Sequence, residues 1–172
     1  SGATPELRTT EHFFLKLSAF QDRAEAWLDT REGWRAHVKN WALGFVRGGL
    51  HDNAITRDLE WGVELPDDAA AELGPGKRFY VWFDAVIGYL SASREWAQGQ
   101  GTPEAWKRWW ENPEASSYYF IGKDNIPFHA VYWPIFLMGS GDLNLPTDVP
   151  ANQYVTFKGE QASKSRGVGR PV

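Results

Sequence analysis

Apolar residues recur at three- and four-residue steps through the first third of the chain. Within residues 11–47, Glu11-His12-Phe13-Phe14-Leu15-Lys16-Leu17 is followed by Phe20, Ala24, Trp27 and Leu28, a spacing that predicts helix. A second helix is predicted from Trp34 through Trp41 and Phe45, stopped by Gly48-Gly49. His51 to Asp58 reads as a polar loop, and Pro66 to Arg78, with its Pro75-Gly76 pair, as an exposed turn region. Phe79-Tyr80-Val81-Trp82-Phe83 is a dense β-forming run of the kind found in a buried strand. Asp84 then stands where it would cap a helix carrying Ala85, Ile87, Tyr89 and Leu90. Ser117 to Ile121 is the next strand candidate and breaks at Gly122. Asp124 or Asn125 would cap another helix, with Pro127 tolerated in its first turn and Pro134 expected to kink or interrupt it. Tyr154 to Phe157 gives a third strand. This alternation of strand and helix predicts an α/β fold with a parallel sheet, whose ligands bind beyond the carboxyl ends of the strands.

Composition narrows the class. A chain of 172 residues suits one well-buried domain, and 42% hydrophobic with 23% charged residues is ordinary for a soluble globular protein. The net charge of −4 argues against a general nucleic-acid binder, while leaving room for local contacts near Lys158, Lys164, Arg166 and Arg170. Cysteine is absent, so neither a disulfide framework nor a thiolate metal site is expected, and the four histidines show no metal-ligand spacing. No apolar run approaches membrane-spanning length and no signal peptide opens the chain, which makes a cytoplasmic soluble domain the expectation. Among ten tryptophans, those of Trp106 to Trp110 read as a helix end packed on a surface, whereas Trp82 and Trp133 lie in apolar segments and are better candidates for lining a cavity.

Three segments carry candidate chemistry. In Tyr80 to Tyr89, Ala85 and Tyr89 lie four apart and share a helical face over which Trp82 can lean. The result would be an aromatic wall with a small floor and one hydroxyl; the plainer alternative is a sheet-to-helix core. In Phe120 to Phe136, Gly122-Lys123-Asp124 sets a cation and a carboxylate at a strand end, and His129 and Trp133 lie four apart. A pocket of aromatic rings with one or two weak polar contacts would suit a polarizable thioether. Asp124 is open between capping the helix and holding a ribose hydroxyl or a substrate ammonium, and Arg57 between an ordinary surface pair with Asp58 and a bidentate support of Asp124. Third, Lys158 to Gly167, reading KGEQASKSRG, combines small hydroxyls and cations beside glycine, a composition for a loop that closes on phosphates.

Taken together, EHFFLKLSAFQDR, GLHDNAITRDLEWGVELP, YVWFDAVIGYLSA, FIGKDNIPFHAVYWPIFLMG and YVTFKGEQASKSRG closely resemble, in family order, the catalytic domain of the methionyl-tRNA synthetases, a class I aminoacyl-tRNA synthetase family. The resemblance implies the second half of a Rossmann-type parallel-sheet nucleotide-binding domain preceded by a helical segment. Residues 1–50 would form the helical end of the family's connecting insertion and 51–172 the second half of the catalytic domain, ending in the SKSRG loop. It implies that Trp82, Ala85, Tyr89, His129 and Trp133 line the methionine pocket, and that Gly122, Asp124, Ser163, Lys164 and Ser165 meet ATP. Arg57 would support Asp124, and Lys164 would be the catalytic cation. The implied partners are methionine, ATP with Mg2+ as substrate, and tRNA(Met), with no zinc site and no membrane contact.

Departures from the family pattern bear on this expectation. Gln161 and Ala162 stand where the signature has its first lysine and its methionine, and Val86 where many members have proline or leucine. The family's amino-terminal histidine signature, zinc-binding insertion and helical anticodon-binding domain are not in these residues. The chain is therefore expected to be a fragment that does not aminoacylate alone. The competing reading is a non-catalytic paralogue or amino-acid-binding module, mildly favoured by Gln161 and Ala162.

Overall fold

The computed structural model describes residues 4, 7, 9–141, 143–157, 159–163 and 167–169. Two of its helices follow directly from apolar spacing. Helix α1 (Gln21–Asp29) buries Ala24 and Leu28, and α2 (Ala36–Arg47) buries Val38, Ala42, Leu43 and Val46. Gln21 satisfies the end of α2 twice: its Nε2 donates to Val46 O at 2.7 Å, and its Oε1 accepts the Leu50 N–H at 2.8 Å. Arg47, in the last turn of α2, bridges to Glu25 at 2.7 Å and Asp29 at 3.1 Å on α1, a cation where the helix dipole favours one.

The predicted helix does not extend back to Glu11. Phe14–Leu15 is strand β1, antiparallel to β2 (Asn53–Ala54), and a short 3₁₀ turn at Leu17–Phe20 leads into α1. The cause is Thr56, fully buried, whose Oγ1 accepts the Phe13 N–H at 3.1 Å and meets His12 Nδ1 at 3.0 Å. These bonds hold the backbone extended where side-chain spacing alone would allow a helix. The expected loop at 51–58 therefore holds both β2 and β3 (Thr56–Asp58), the latter antiparallel to β4 (Lys77–Phe79). Its end pairs with residues outside the segment: the buried Lys77 ammonium lies 2.6 Å from Asp58 and donates to Thr10 Oγ1 and Glu11 O. The expected turn region includes α3 (Asp67–Leu73), a helix without a buried residue whose first turn holds Asp67 and Asp68, followed by Gly74 and Gly76 at positive φ.

The aromatic run 79–83 is also not one strand. Tyr80 N–H bonds Ile55 O, and the chain turns at once into α4 (Val81–Ala85), continued by α5 (Gly88–Gly99) and the short α6 (Lys107–Trp110). Asp84 lies inside the first turn of α4, and Tyr80 occupies the cap position. Aromatic composition favours any half-buried surface. Here Phe79 and Phe83, four apart, stack at 5.8 Å, Phe83 meets Phe136 at 5.1 Å, and Trp82 stacks on Phe128 at 4.7 Å.

Parallel pairing is confined to one place. β5 (Ile121–Gly122) lies parallel to β6 (Ala151–Asn152), extended backward by the Tyr118–Asp148 bridge. Pro150 accepts from Ile121 N–H but cannot donate, which keeps the ladder short. Tyr154 to Phe157 does not join it. Within that run β7 (Thr156–Phe157) forms an antiparallel pair with β8 (Glu160–Gln161). Among the described residues the architecture is α/β with four two-stranded sheets, in place of the expected three-strand parallel array.

After β5 the chain passes through a 3₁₀ turn (Lys123–Asn125), a π-helical stretch (Pro127–Tyr132) and α7 (Trp133–Ser140). Pro134 marks the predicted interruption. It offers no N–H to Ala130 O, and just before it Trp133 N–H reaches back five residues to Phe128 O. One core unites these elements, in which Leu17, Leu28, Val38 and Val46 meet Ala130, Val131, Ile135 and Val149. Trp34 Nε1 donating to Thr147 O (2.7 Å) and His37 Nε2 donating to Ala151 O (3.2 Å) fasten the helical pair to the parallel strands.

Candidate active site

The carboxyl end of β5, the start of α5 and the π-helical stretch converge on a cavity of about 370 Å³. Trp82, Ala85, Tyr89, Gly122, Phe128 and His129 contribute to its lining, so the structure brings together five of the residues singled out from the sequence. Tyr89 Oη and His129 Nε2 are 2.8 Å apart, and His129 Nδ1 is 3.0 Å from Asn125 O. A carbonyl only accepts, so Nδ1 carries the imidazole proton, Nε2 is the acceptor, and the Tyr89 hydroxyl donates. Burial lowers the His129 pKa from its ordinary value, opposed by the Asn125 carbonyl, in keeping with the neutral ring. The cavity thus presents aromatic faces, one phenol oxygen and no charge from this pair, a surface for an uncharged, polarizable side chain.

Trp133 stands one layer behind. It is 2% exposed, it does not contribute to the cavity lining, and its indole N–H donates to Tyr119 Oη at 2.9 Å. Its ring is 6.4 Å from that of Tyr89, while Tyr89 and Tyr119 meet edge-on at 5.2 Å. Trp133 and Tyr119 therefore buttress the phenol–imidazole pair from the core side. Trp82 is 44% exposed and with Phe128 forms a wall shared with a second cavity of about 370 Å³, lined among others by Phe45, Ile55, Arg57 and Tyr80. Gly122 is exposed at the mouth with ordinary extended dihedrals, and a Cβ there would meet nothing within 4 Å.

Asp124 lies exposed on the 3₁₀ turn beyond Gly122, where Tyr154 Oη donates to its Oδ2. Arg57 does not join it. Its Nη1 donates to Ala54 O (2.9 Å) and Thr56 O (2.7 Å), and its guanidinium lies 4.1 Å from the Tyr80 ring centre. It faces the second cavity, and Asp58, the other partner considered for it, pairs with Lys77. Ser163 exchanges backbone hydrogen bonds with Val168 at 2.8 and 3.0 Å at the base of the SKSRG loop. Lys164 and Ser165 lie outside the described residues. No cluster of three or more metal-ligating side chains occurs among the described residues, and no helix there is long and apolar enough to cross a membrane.

Sequence reasoning missed Asn125, Phe128, Tyr119 and Tyr154. For Tyr119 a signal existed: alternation along Tyr118-Tyr119-Phe120-Ile121 buries 119 and 121 and exposes 118 and 120. Phe128 and Asn125 act through a stacking partner and a backbone carbonyl, which residue type does not disclose.

A small neutral cleft at the tip of a parallel strand, followed by a polar turn, is where α/β proteins commonly place a ligand site. The family described as tRNA synthetases class I (M) matches residues 1–170, and the chain belongs to it. Proteins named methionine–tRNA ligase are similar throughout. That of Thermoplasma acidophilum is 51% identical over 172 residues, covering 100% of this chain and 31% of the relative. That of Dehalococcoides mccartyi is 57% identical over 162 residues, covering 94% and 28%. A solved structure of Mycobacterium tuberculosis methionyl-tRNA synthetase in complex with methionyl-adenylate matches with a TM-score of 0.72 at 35% identity, over 91% of this chain and 29% of that one. The chain thus spans less than a third of the length of these proteins.

Proposed function

We propose that this chain is the methionine-recognising part of a methionine–tRNA ligase, within the second half of a Rossmann-type catalytic domain. The observation that carries the reading is the Tyr89–His129 hydrogen bond, 2.8 Å long, inside a neutral aromatic cavity opening beside Gly122. The relatives' names and the methionyl-adenylate bound by a structural neighbour support it. In the longer protein, a methionine carboxylate oxygen attacks the α-phosphorus of ATP, forming methionyl-adenylate and releasing pyrophosphate. A ribose hydroxyl of the terminal adenosine of tRNA(Met) then attacks the acyl carbon and AMP leaves. Catalysis comes from positioning and charge neutralisation. Trp82, Ala85, Tyr89 and His129 hold the side chain, with Trp133 supporting them from behind. Gly122 and Asp124 meet the ribose or the ammonium, Lys164 between Ser163 and Ser165 neutralises the phosphates, and Mg2+ arrives with ATP.

Methionine-dependent ATP–pyrophosphate exchange by the full-length protein tests the reading. Tyr89→Phe should raise KM for methionine about 10-fold, the loss of one net hydrogen bond. Lys164→Ala should lower kcat about 100-fold and leave KM for methionine within about 2-fold. Equal effects on both constants would contradict the role of Lys164. Gln161 and Ala162 favour a second reading, an amino-acid-binding module without turnover. Methionine binding without any exchange would establish that one instead.

A further inference from the structure

The Asp124 carboxylate is exposed, and an exposed carboxylate on a short turn samples several rotamers unless something fixes it. Here something does. Tyr154, between β6 and β7, donates its phenol O–H to Asp124 Oδ2 and places its ring 4.2 Å from the Lys123 ammonium. One aromatic side chain thereby engages two consecutive residues of the turn, one through its hydroxyl and one through its face. An ionised carboxylate offers about four lone-pair directions. Tyr154 occupies Oδ2 and no other hydrogen bond reaches the carboxylate among the described residues, so Oδ1 remains an oriented acceptor. The Asp124 carboxylate in turn raises the Tyr154 pKa above its usual value, which keeps the phenol protonated and able to donate.

We propose that Tyr154 is a positioning residue for the reaction: it fixes the Asp124 carboxylate so that Oδ1 receives a hydrogen-bond donor of the substrate, either the ribose hydroxyl of ATP or the ammonium of the amino acid. This rests on the assignment of Asp124 to the substrate site. It also gives the segment approaching the phosphate loop a mechanical tie to the tip of β5, since Tyr154 lies two residues before β7.

Pyrophosphate exchange by the full-length protein carrying Tyr154→Phe, Asp124→Asn and both together tests it. Tyr154→Phe keeps the ring over Lys123 and removes only the hydroxyl. It should raise one Michaelis constant about 5- to 10-fold, the size of one net hydrogen bond, with kcat changed less than about 2-fold. A rise in KM for ATP identifies the ribose as the donor, and a rise in KM for methionine the ammonium. Asp124→Asn should raise the same constant further, and the double variant should be no worse than Asp124→Asn alone, because the phenol acts only through the carboxylate. An unchanged or lowered KM in Tyr154→Phe, or multiplying effects in the double variant, would overturn the proposal while leaving Asp124 in the site. If Asp124→Asn itself shifts neither constant, the assignment of Asp124 falls and the proposal falls with it.

Discussion

At the residue scale, the carbonyl of Asn125 decides the chemistry of the pocket. By accepting from Nδ1 it selects the tautomer of His129, and the tautomer in turn commits the Tyr89 hydrogen to Nε2. Gly122 bears on the same site for a different reason. Its dihedrals suit any residue and a Cβ there would be unobstructed, so the fold itself does not require glycine. Gly122→Ala should therefore leave the thermal midpoint within about 2 °C while raising a substrate KM, since only an incoming ligand competes for that space. A large drop in the midpoint with unchanged KM would reverse this assignment. Tyr89, His129, Trp82 and Ala85 were legible because each presents its own side chain to the cavity. Arg57 was not, because carbonyls of its own strand region and the Tyr80 ring engage its guanidinium, and local spacing cannot foresee such partners.

At the scale of elements, α1 and α2 were legible because burial repeats there at helical period and a glycine pair ends the second. The strands were harder to read. β1 and β3 depend on Thr56, 43 residues from the backbone donor it satisfies, and β5 depends on a partner strand that Pro150 immediately precedes. Replacing Thr56 with valine keeps the shape but deprives the Phe13 N–H of its acceptor and His12 of its contact. A buried donor left unpaired costs about 1–3 kcal/mol, so the denaturant midpoint should fall accordingly with little change in slope. An unaffected midpoint would mean that water replaces the hydroxyl and that Thr56 does not hold β1 in place. The run 79–83 misled for a related reason, since aromatic density signals burial but does not choose between strand and helix when the partners, Phe128 and Phe136, come from far along the chain.

At the scale of the whole molecule, two histidines tie stability to pH. His12 is held below the ordinary imidazole value of 6.5 first by burial and then by Lys77, with Asp58 opposing, and His129 is lowered by burial. The unfolded chain gains protons as pH falls through about 6.5, while these native sites take them up only lower down. Stability is therefore full above that value and declines below it until the native rings also titrate. Thermal melts should show a lower midpoint at about pH 5.5 than at about pH 7.5, and a higher one would contradict both assignments. The core that carries α1 and α2 also holds Val86 and Ile121, which line the pocket, so packing faults far from the cleft reach it through them. The π-helical stretch adds a different kind of vulnerability. Removing any one residue between 127 and 132 would give back a regular backbone and, because a π turn holds about one residue more than an α turn, would keep the interior face of α7 in register while changing how Phe128 and His129 are set over the cavity. In that stretch residue count and residue identity are constrained together, since Phe128 and His129 line the cavity and Ala130 and Val131 are buried.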